Sequence, residues 1–170
     1  MMFGFYEAFP HQVHKTKHFV TSISSRKLQQ ILLQLLSGLN KITLRLEDVG
    51  TPSMTDYVTF FEFGIAEDNG FNYLNDEETA KALKIVQKAP LQILDLLCAV
   101  RFYRTENEKR KPLRFDYYML RFTFNPKFLE LQLFHERGPM HILPEEFIEF
   151  IAKKINETFG RTAVKLLNKD

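Results

Sequence analysis

The chain of 170 residues is long enough to bury a hydrophobic core, and its 45% hydrophobic and 26% charged residues exclude an intrinsically disordered protein. A net charge of +2 does not by itself indicate binding to nucleic acid or to a membrane surface, so either function must rest on local clusters of charge. The single cysteine, Cys98, excludes an intramolecular disulfide, and no apolar run approaches the roughly 18 residues of a membrane span, which predicts a cytoplasmic protein without membrane segments.

The first 18 residues differ in character from the single domain that we expect at 19–170. Residues 1–9 (MMFGFYEAF) are mostly apolar or aromatic and are followed by Pro10, which predicts an edge strand or a partly ordered arm that docks onto a partner. They lack the pattern of a secretory signal peptide. Residues 11–18 are polar and basic and contain three of the five histidines.

Residues 25–39 predict an amphipathic helix, because leucine and isoleucine recur at spacings of three and four residues. Ser24 or Ser25 suits the N-cap position, since a serine hydroxyl accepts a free amide of the first turn. Gly38 and Asn40 are typical of a helix end. The apolar stripe consists of Leu28, Ile31, Leu32, Leu35, Leu36 and Leu39.

Two strands are expected after this helix, separated by a turn at 50–53 that contains a proline. Residues 56–66 are rich in phenylalanine and carry the aromatic side chains mainly on one parity. Residues 41–47 alternate strictly between apolar and polar side chains, which predicts a half-buried strand. Its inward-facing residues would be Ile42, Leu44 and Leu46.

A hairpin and a second helix follow these strands. The Glu-Asp-Asn-Gly sequence at 67–70 is a strong turn signal and predicts that residues 71–74 pair back as a short strand. Asn75, with a glutamate three residues later, is typical of a helix start. The second helix must then end before Pro90, because proline cannot continue the hydrogen-bond pattern.

Three apolar segments between residues 92 and 136 organise the predicted sheet. Residues 92–104 and 129–133 carry apolar side chains on one parity, and residues 115–124 are rich in aromatics on both. Successive side chains of a strand lie on opposite faces, so these segments predict a three-strand antiparallel meander. Cys98 falls on the apolar parity, which predicts a buried thiol.

The last predicted elements are a helix from Pro144 to near Gly160 and a short strand within 162–167. Together the elements predict an α+β domain with two layers, in which three helices cover a mainly antiparallel sheet of five to seven strands. The order helix, strand, strand, strand at 26–74 recurs at 77–136, which is compatible with an internal duplication.

A cluster of basic residues lies between the first two strands of the meander, at a predicted hairpin tip. A cationic finger that projects from a sheet suits contact with phosphates, because each neutralised phosphate releases counterions. Glu106 and Glu108 lie in the same loop, so a solvated charged turn is the alternative. The candidate nucleic-acid-binding residues are Arg104, Lys109, Arg110, Lys111 and Arg114.

Three histidines in the N-terminal segment, His11, His14 and His18, form a candidate metal site. Imidazole is a ligand for Zn²⁺ or Ni²⁺, and three such groups within eight residues can surround an ion if the segment folds around it. No glutamate lies between them in the metalloprotease arrangement, so a solvated basic segment is the alternative. No other cofactor is predicted.

A third candidate is the turn at 134–141, which joins the last strand of the meander to the third helix. His135, Glu136 and His141 are expected to converge near the helix start, where free amides favour an anion. The alternative is a plain turn in which glycine relaxes the backbone.

Large apolar side chains on the outer faces of the strands point to association. Val58 and Phe60 share a parity with acidic residues, and Phe128 and Phe134 share one with Glu130 and a glutamine. A polar sheet face with large aromatic insertions is typical of an interface. Helices that cover both faces of the sheet would be the alternative.

The sequence lacks a G-x-S-x-G elbow, a phosphate-binding glycine-rich loop and paired C-x-x-C motifs, so an enzyme of a common class is disfavoured. The leading hypothesis is a non-enzymatic binding or assembly protein that uses an aromatic sheet face and self-associates, as a homodimer or larger oligomer, or binds another protein. The alternative is a nucleic-acid-binding module that uses the basic hairpin. A metal-dependent function at the histidines is a third hypothesis.

Overall fold

The computed structural model describes residues 2–50 and 56–167, and within these ranges nine antiparallel strands form one open sheet with three helices on one face. The α+β class is confirmed. The elements, in chain order, are β1 (Lys15–Thr21), α1 (Ser25–Leu39), β2 (Thr43–Arg45), β3 (Tyr57–Glu67), β4 (Gly70–Tyr73), α2 (Asp76–Lys88), β5 (Ile93–Glu106), β6 (Lys109–Pro112), β7 (Asp116–Phe124), β8 (Phe128–Arg137), α3 (Pro144–Phe159) and β9 (Val164–Leu166).

Seven strands of the sheet follow the order β2-β3-β5-β7-β8-β1-β9, and all pairings are antiparallel. The short strand β4 pairs with β3, and β6 pairs with the end of β5. Nine strands exceed the five to seven expected because β6 forms from the hairpin tip and β1 from the basic segment. β6 is polar, and β1 is mostly polar with the buried Phe19 near its end, so backbone hydrogen bonds rather than an apolar stripe define both strands.

The first helix has the predicted bounds and both of its ends are fixed by side chains. The Ser24 hydroxyl accepts the Lys27 amide at 3.2 Å as N-cap. After the helix end, the Asn40 side chain accepts the Phe63 amide at 2.7 Å and donates to the Phe63 carbonyl at 3.0 Å. These two bonds connect the end of α1 directly to the backbone of β3.

The strand predicted at 41–47 is wrong in its length. Only Thr43–Arg45 pairs with β3, and a 3₁₀ turn follows over Leu46–Asp48. Ile42 is 46% exposed, whereas Leu46 is fully buried. The chain leaves the sheet edge early because the turn directs Leu46 and Val49 into the core between sheet and helices. Apart from Gly50, the turn predicted at 50–53 lies outside the described residues.

The hairpin with its turn at 67–70 and the second helix form where the turn residues and the helix-start residue predicted them. Asp68 and Asn69 both have positive φ angles, 50° and 66°, as a tight two-residue hairpin turn requires. The Asn75 side chain accepts the Glu78 amide at 2.8 Å and caps α2. The third helix starts at Pro144 and ends at Phe159, and Gly160, which follows it, has a left-handed conformation with a φ of 84°.

The core lies between the helices and one face of the sheet. The alternating apolar residues of β3, β5, β7 and β8 point into it, and Phe147 of α3 packs against Phe61 and Tyr118. Cys98 is fully buried, as predicted. In the part of the chain that the structure describes, no helix has the length and apolar character needed to cross a membrane.

The N-terminal segment is integrated into the sheet. β1 pairs with β8 over Lys15 to Val20 and with β9 on its other edge, so the boundary expected at residue 18 falls inside a strand. The two halves of the sequence echo share one feature of strand pairing. In the first half β3 pairs with both β2 and β4, and in the second half β7 pairs with both β5 and β8.

Candidate binding surface on the open sheet face

An N-terminal arm, residues 2–9, covers part of the sheet face that lies opposite the helices. The Gly4 amide donates to the Ala66 carbonyl at 2.7 Å, and the Gly4 carbonyl accepts the Asp95 amide at 2.6 Å. Gly4 therefore lies between β3 and β5 where these strands separate. Its φ is +79°, and a β-carbon there would lie 3.2 Å from the Ile93 carbonyl oxygen, so the site favours glycine.

A buried ion pair holds this arm on the sheet. The Asp95 carboxylate accepts two hydrogen bonds from the Arg121 guanidinium, at 2.7 and 2.8 Å, and a third from the Tyr6 amide at 2.7 Å. The guanidinium lies 4.4 Å from the ring centre of Phe9 and 5.1 Å from that of Phe5. The pair is satisfied by hydrogen bonds and covered by aromatic rings.

The remainder of this side of the sheet carries half-buried and exposed apolar side chains, and we name it the aromatic face. Cross-strand register places Val58 opposite Tyr103, and Met119 opposite both Leu97 and Phe134. Their parity is opposite to that of the core residues, so they point away from the helices. The aromatic face consists of Val58, Phe60, Leu97, Tyr103, Phe115, Tyr117, Met119 and Phe134.

One ion pair lies in the middle of the aromatic face. The Arg101 side chain donates a hydrogen bond to the Glu62 carboxylate, which raises the pKa of Arg101. The same guanidinium lies 4.5 Å from the ring centre of Phe115. Because Glu62 and Arg101 neutralise each other, this pair contributes little net charge to the surface.

The predicted basic hairpin adjoins the aromatic face. Arg110 pairs in register with Thr105, shares the parity of Tyr103, and its guanidinium lies 5.8 Å from the ring centre of Phe60. Arg104 and Lys111 lie opposite each other in the register, and their side chains are on the other face of the hairpin from Arg110. The five basic residues therefore do not form a single cluster.

The charges of the hairpin are only partly neutralised. The Lys111 ammonium lies 3.0 Å from the Glu106 carboxylate. Within residues 2–50 and 56–167, no ion pair is formed by Arg104, Lys109, Arg110 or Arg114. These four side chains are exposed and keep their positive charge available to a ligand.

The four candidate interface residues do not all lie together. Val58, Phe60 and Phe134 belong to the aromatic face. Phe128 is 48% exposed and lies at the other end of β8, opposite Val20, which is 40% exposed. The aromatic face therefore includes three of the four predicted interface residues and adds Phe115 and Tyr117, among others, which the sequence did not indicate.

A buried carboxylate lies beneath one end of this surface, and sequence reasoning did not find it. Asp116 is fully buried and accepts hydrogen bonds from the Met140 amide at 2.6 Å, the His141 amide at 2.8 Å and the His135 ring at 2.7 Å. The His141 ring lies 3.1 Å from the same carboxylate. The sequence does contain a signal for this site, because Asp116 has the same parity as the inward-facing apolar residues of β7. A carboxylate that faces the core requires hydrogen-bond donors around it.

This cluster stabilises the turn between β8 and α3. His135 and His141 converge as expected, but on a carboxylate of the protein itself, whereas Glu136 is exposed. The Asp116 carboxylate accepts hydrogen bonds from two backbone amides of the turn and from the His135 ring, and it lies within hydrogen-bond distance of the His141 ring. The arrangement holds a chain segment in place.

The three N-terminal histidines have separate surroundings. The His14 ring accepts the His135 amide at 2.9 Å and lies against Phe134, with 5.0 Å between ring centres. The His18 ring is 2.9 Å from the Glu130 carboxylate, and His11 is exposed in the preceding loop. Across residues 2–50 and 56–167, no group of three or more His, Cys, Asp or Glu side chains is arranged to hold a metal ion.

Comparison with known proteins gives no relative from which a function can be carried over. No family model, no curated protein sequence and no solved structure matches this chain. The geometry of the aromatic face and its basic border is therefore the basis for a functional proposal.

Proposed function

We propose that this chain binds single-stranded nucleic acid on the aromatic face, with the basic hairpin in contact with the phosphates. The observation that carries the proposal is that exposed cations and accessible aromatic rings share one surface, as the contact of Arg110 with Phe60 illustrates. Bases stack on aromatic side chains whatever their sequence, and a neighbouring line of cations follows the backbone. The predicted partner is therefore a flexible strand whose bases are unpaired.

The local balance of charge supports this proposal even though the net charge is only +2. The carboxylate on the aromatic face, Glu62, is neutralised by Arg101. Arg110 and Arg114, and also Arg137 at the end of β8, form no ion pair within the described part of the chain. A strand that crosses this surface meets positive charge at its border and apolar rings at its centre.

The test is fluorescence anisotropy with short single-stranded DNA and RNA oligomers over a series of salt concentrations. We expect the logarithm of affinity to fall linearly with the logarithm of salt. The double variant Lys109→Gln/Arg110→Gln should weaken binding and reduce that slope, by about 0.7 for each phosphate that is no longer neutralised. The matched control is Lys84→Gln/Lys88→Gln, which removes two exposed charges from α2 and should leave affinity unchanged.

Self-association through the same face is the second candidate function. It is favoured by the row Leu97, Met119 and Phe134, which is apolar across three adjacent strands and contains no charge. Light scattering on the stock used for the oligomer titration separates the two candidates. A stable dimer that binds no oligomer at low salt, and that Met119→Lys converts to a monomer, would replace the nucleic-acid proposal with an assembly function.

A further inference from the structure

We infer that a cleft at the edge of the aromatic face binds a nucleoside monophosphate group, carried by the end of a strand or by a free nucleotide. The inference rests on the proposed function and names the part of the strand that this cleft recognises. The cleft has a volume of about 400 Å³ and is lined by Leu113, Arg114, Phe115, Tyr117, Arg137 and Gly138. This volume lies within the range of small-ligand sites, about 300–1,000 Å³.

Two arginines give the cleft its preference for a terminal phosphate. Arg114 and Arg137 are both exposed, and within residues 2–50 and 56–167 neither forms an ion pair. A phosphate monoester carries about −1.5 to −2 charges near neutral pH, and guanidinium groups bind its oxygens in pairs. An internal phosphodiester carries a single negative charge, so a cleft lined by two guanidinium groups favours the monoester.

Two aromatic rings supply the contact for a base. Phe115 and Tyr117 lie with their ring centres 6.5 Å apart and their planes at 70°. Phe115 is 36% exposed although Arg101 lies over its ring. Because the same cleft includes both arginines, a base that contacts either ring keeps its attached phosphate near positive charge.

The buried Asp116 cluster prepares this cleft for its ligand. Gly138 has a φ of +109°, and a β-carbon there would lie 2.1 Å from the Phe115 carbonyl oxygen, so the turn packs directly on the start of β7. Register then places Arg137 opposite Tyr117. The Asp116 carboxylate beneath the turn is fully buried and enclosed by its hydrogen-bond donors, so it does not face a bound phosphate.

The experiment compares one oligomer in three forms, with a 5′-phosphate, with a 3′-phosphate and with hydroxyl groups at both ends, and uses adenosine monophosphate, adenosine and inorganic phosphate as competitors. We expect one phosphorylated form to bind about tenfold more tightly than the unphosphorylated oligomer, which corresponds to about 1.4 kcal/mol. Arg114→Gln and Arg137→Gln should each abolish this advantage. Arg110→Gln, on the hairpin, should weaken all three forms equally.

Each outcome bears on one of the two proposals. Equal affinity for the three oligomers, with no competition by adenosine monophosphate, would overturn the cleft assignment and leave the proposed function intact. If no oligomer binds but adenosine monophosphate binds the wild type and not Arg137→Gln, the proposed function fails and the cleft is a site for a free nucleotide. Inorganic phosphate that competes as well as adenosine monophosphate would overturn the role of the two rings. Unchanged thermal unfolding of the variants establishes that they are folded.

Discussion

At the scale of single residues, the candidate surface depends on side chains and glycines whose partners are distant in sequence. Asp116 obtains its donors from residues 135–141, and Gly138 packs against the carbonyl of Phe115. The sequence predicted that His135 and His141 converge, because they flank one short turn. It did not predict the carboxylate between them, because parity shows that Asp116 points inward but not which donors it meets.

Gly138→Ala should destabilise the protein strongly. The substitution introduces a β-carbon 2.1 Å from the Phe115 carbonyl oxygen and 2.5 Å from the Asp116 carboxylate, at a φ of +109°. The unfavourable backbone alone costs about 1–3 kcal/mol, and relief of the overlap requires that the turn move away from β7. Urea unfolding followed by circular dichroism measures the effect.

Gly38→Ala is the matched control for this measurement. Gly38 lies inside α1, and a β-carbon there would meet no atom within 4 Å. Alanine has the higher helix propensity, so this variant should gain about 0.5–1 kcal/mol. Equal stability of the wild type and Gly138→Ala would show that the turn does not pack on β7 as described.

At the scale of elements, local signals predicted the helices and the long strands, whereas long-range contacts decided the rest. Helix caps, the 67–70 turn and the alternation of the meander depend on residues a few positions apart, and these elements formed as expected. β6 has no apolar stripe, and its tip turns at Asn107 and Glu108, which both have positive φ. The arm depends on Arg121, more than a hundred residues away, so no local pattern could predict its path.

Arg121→Ala should release the arm and destabilise the domain. Asp95 is buried, and loss of the guanidinium leaves its carboxylate with the Tyr6 amide as a remaining donor. Removal of one partner from a buried pair costs about 3–5 kcal/mol, and we expect a smaller loss here because the Arg121 side chain keeps 19% exposure to solvent. Hydrogen exchange should show faster exchange at the amides of Gly4 and Tyr6.

The control for the arm is Arg161→Ala, which removes an exposed arginine outside the sheet contacts of residues 2–9. It removes the contact of the guanidinium with the Phe159 ring, 5.0 Å from the ring centre, so stability should fall by at most about 0.5–1 kcal/mol and the exchange of the arm amides should stay unchanged. Exchange of Gly4 and Tyr6 in Arg121→Ala at the wild-type rate would contradict the role of the Asp95–Arg121 pair in holding the arm.

At the scale of the whole molecule, the three helices cover one face of the sheet. The N-terminal arm covers part of the second face, and the aromatic face is the part that the arm leaves uncovered. The fold class followed from the element pattern, because three amphipathic helices and a meander pack in few ways. The sequence did not predict which part of the second face the arm covers, because all the residues concerned are phenylalanines. They are Phe5, Phe9, Phe60 and Phe134. The Asp95–Arg121 pair, together with the backbone bonds of Gly4, places the arm so that Phe5 and Phe9 lie against the Arg121 guanidinium.

Cys98 lies in the middle of the sheet, paired with Phe63 of β3 and Tyr118 of β7, so its thiol reports the opening of the whole domain. Burial raises the pKa of Cys98 well above its ordinary value of 9.0, so the thiol stays protonated in the folded state while it ionises in the unfolded chain above that value. The unfolded state then binds fewer protons, and stability should fall as pH rises above about 9. Burial also raises the pKa of Tyr118, which extends the loss of stability above about pH 10.

Urea unfolding between pH 7 and 11, with Cys98→Ala as the comparison, measures this contribution. The variant should lose less stability than the wild type on going from pH 8 to pH 10, because the contribution of the tyrosine remains and that of the thiol is removed. A thiol reagent at pH 8 should label the wild type only at the rate of global unfolding, since no local opening at a sheet edge exposes a central strand. Rapid labelling of the folded protein, or identical alkaline profiles for the two proteins, would contradict the burial of this thiol at the centre of the sheet.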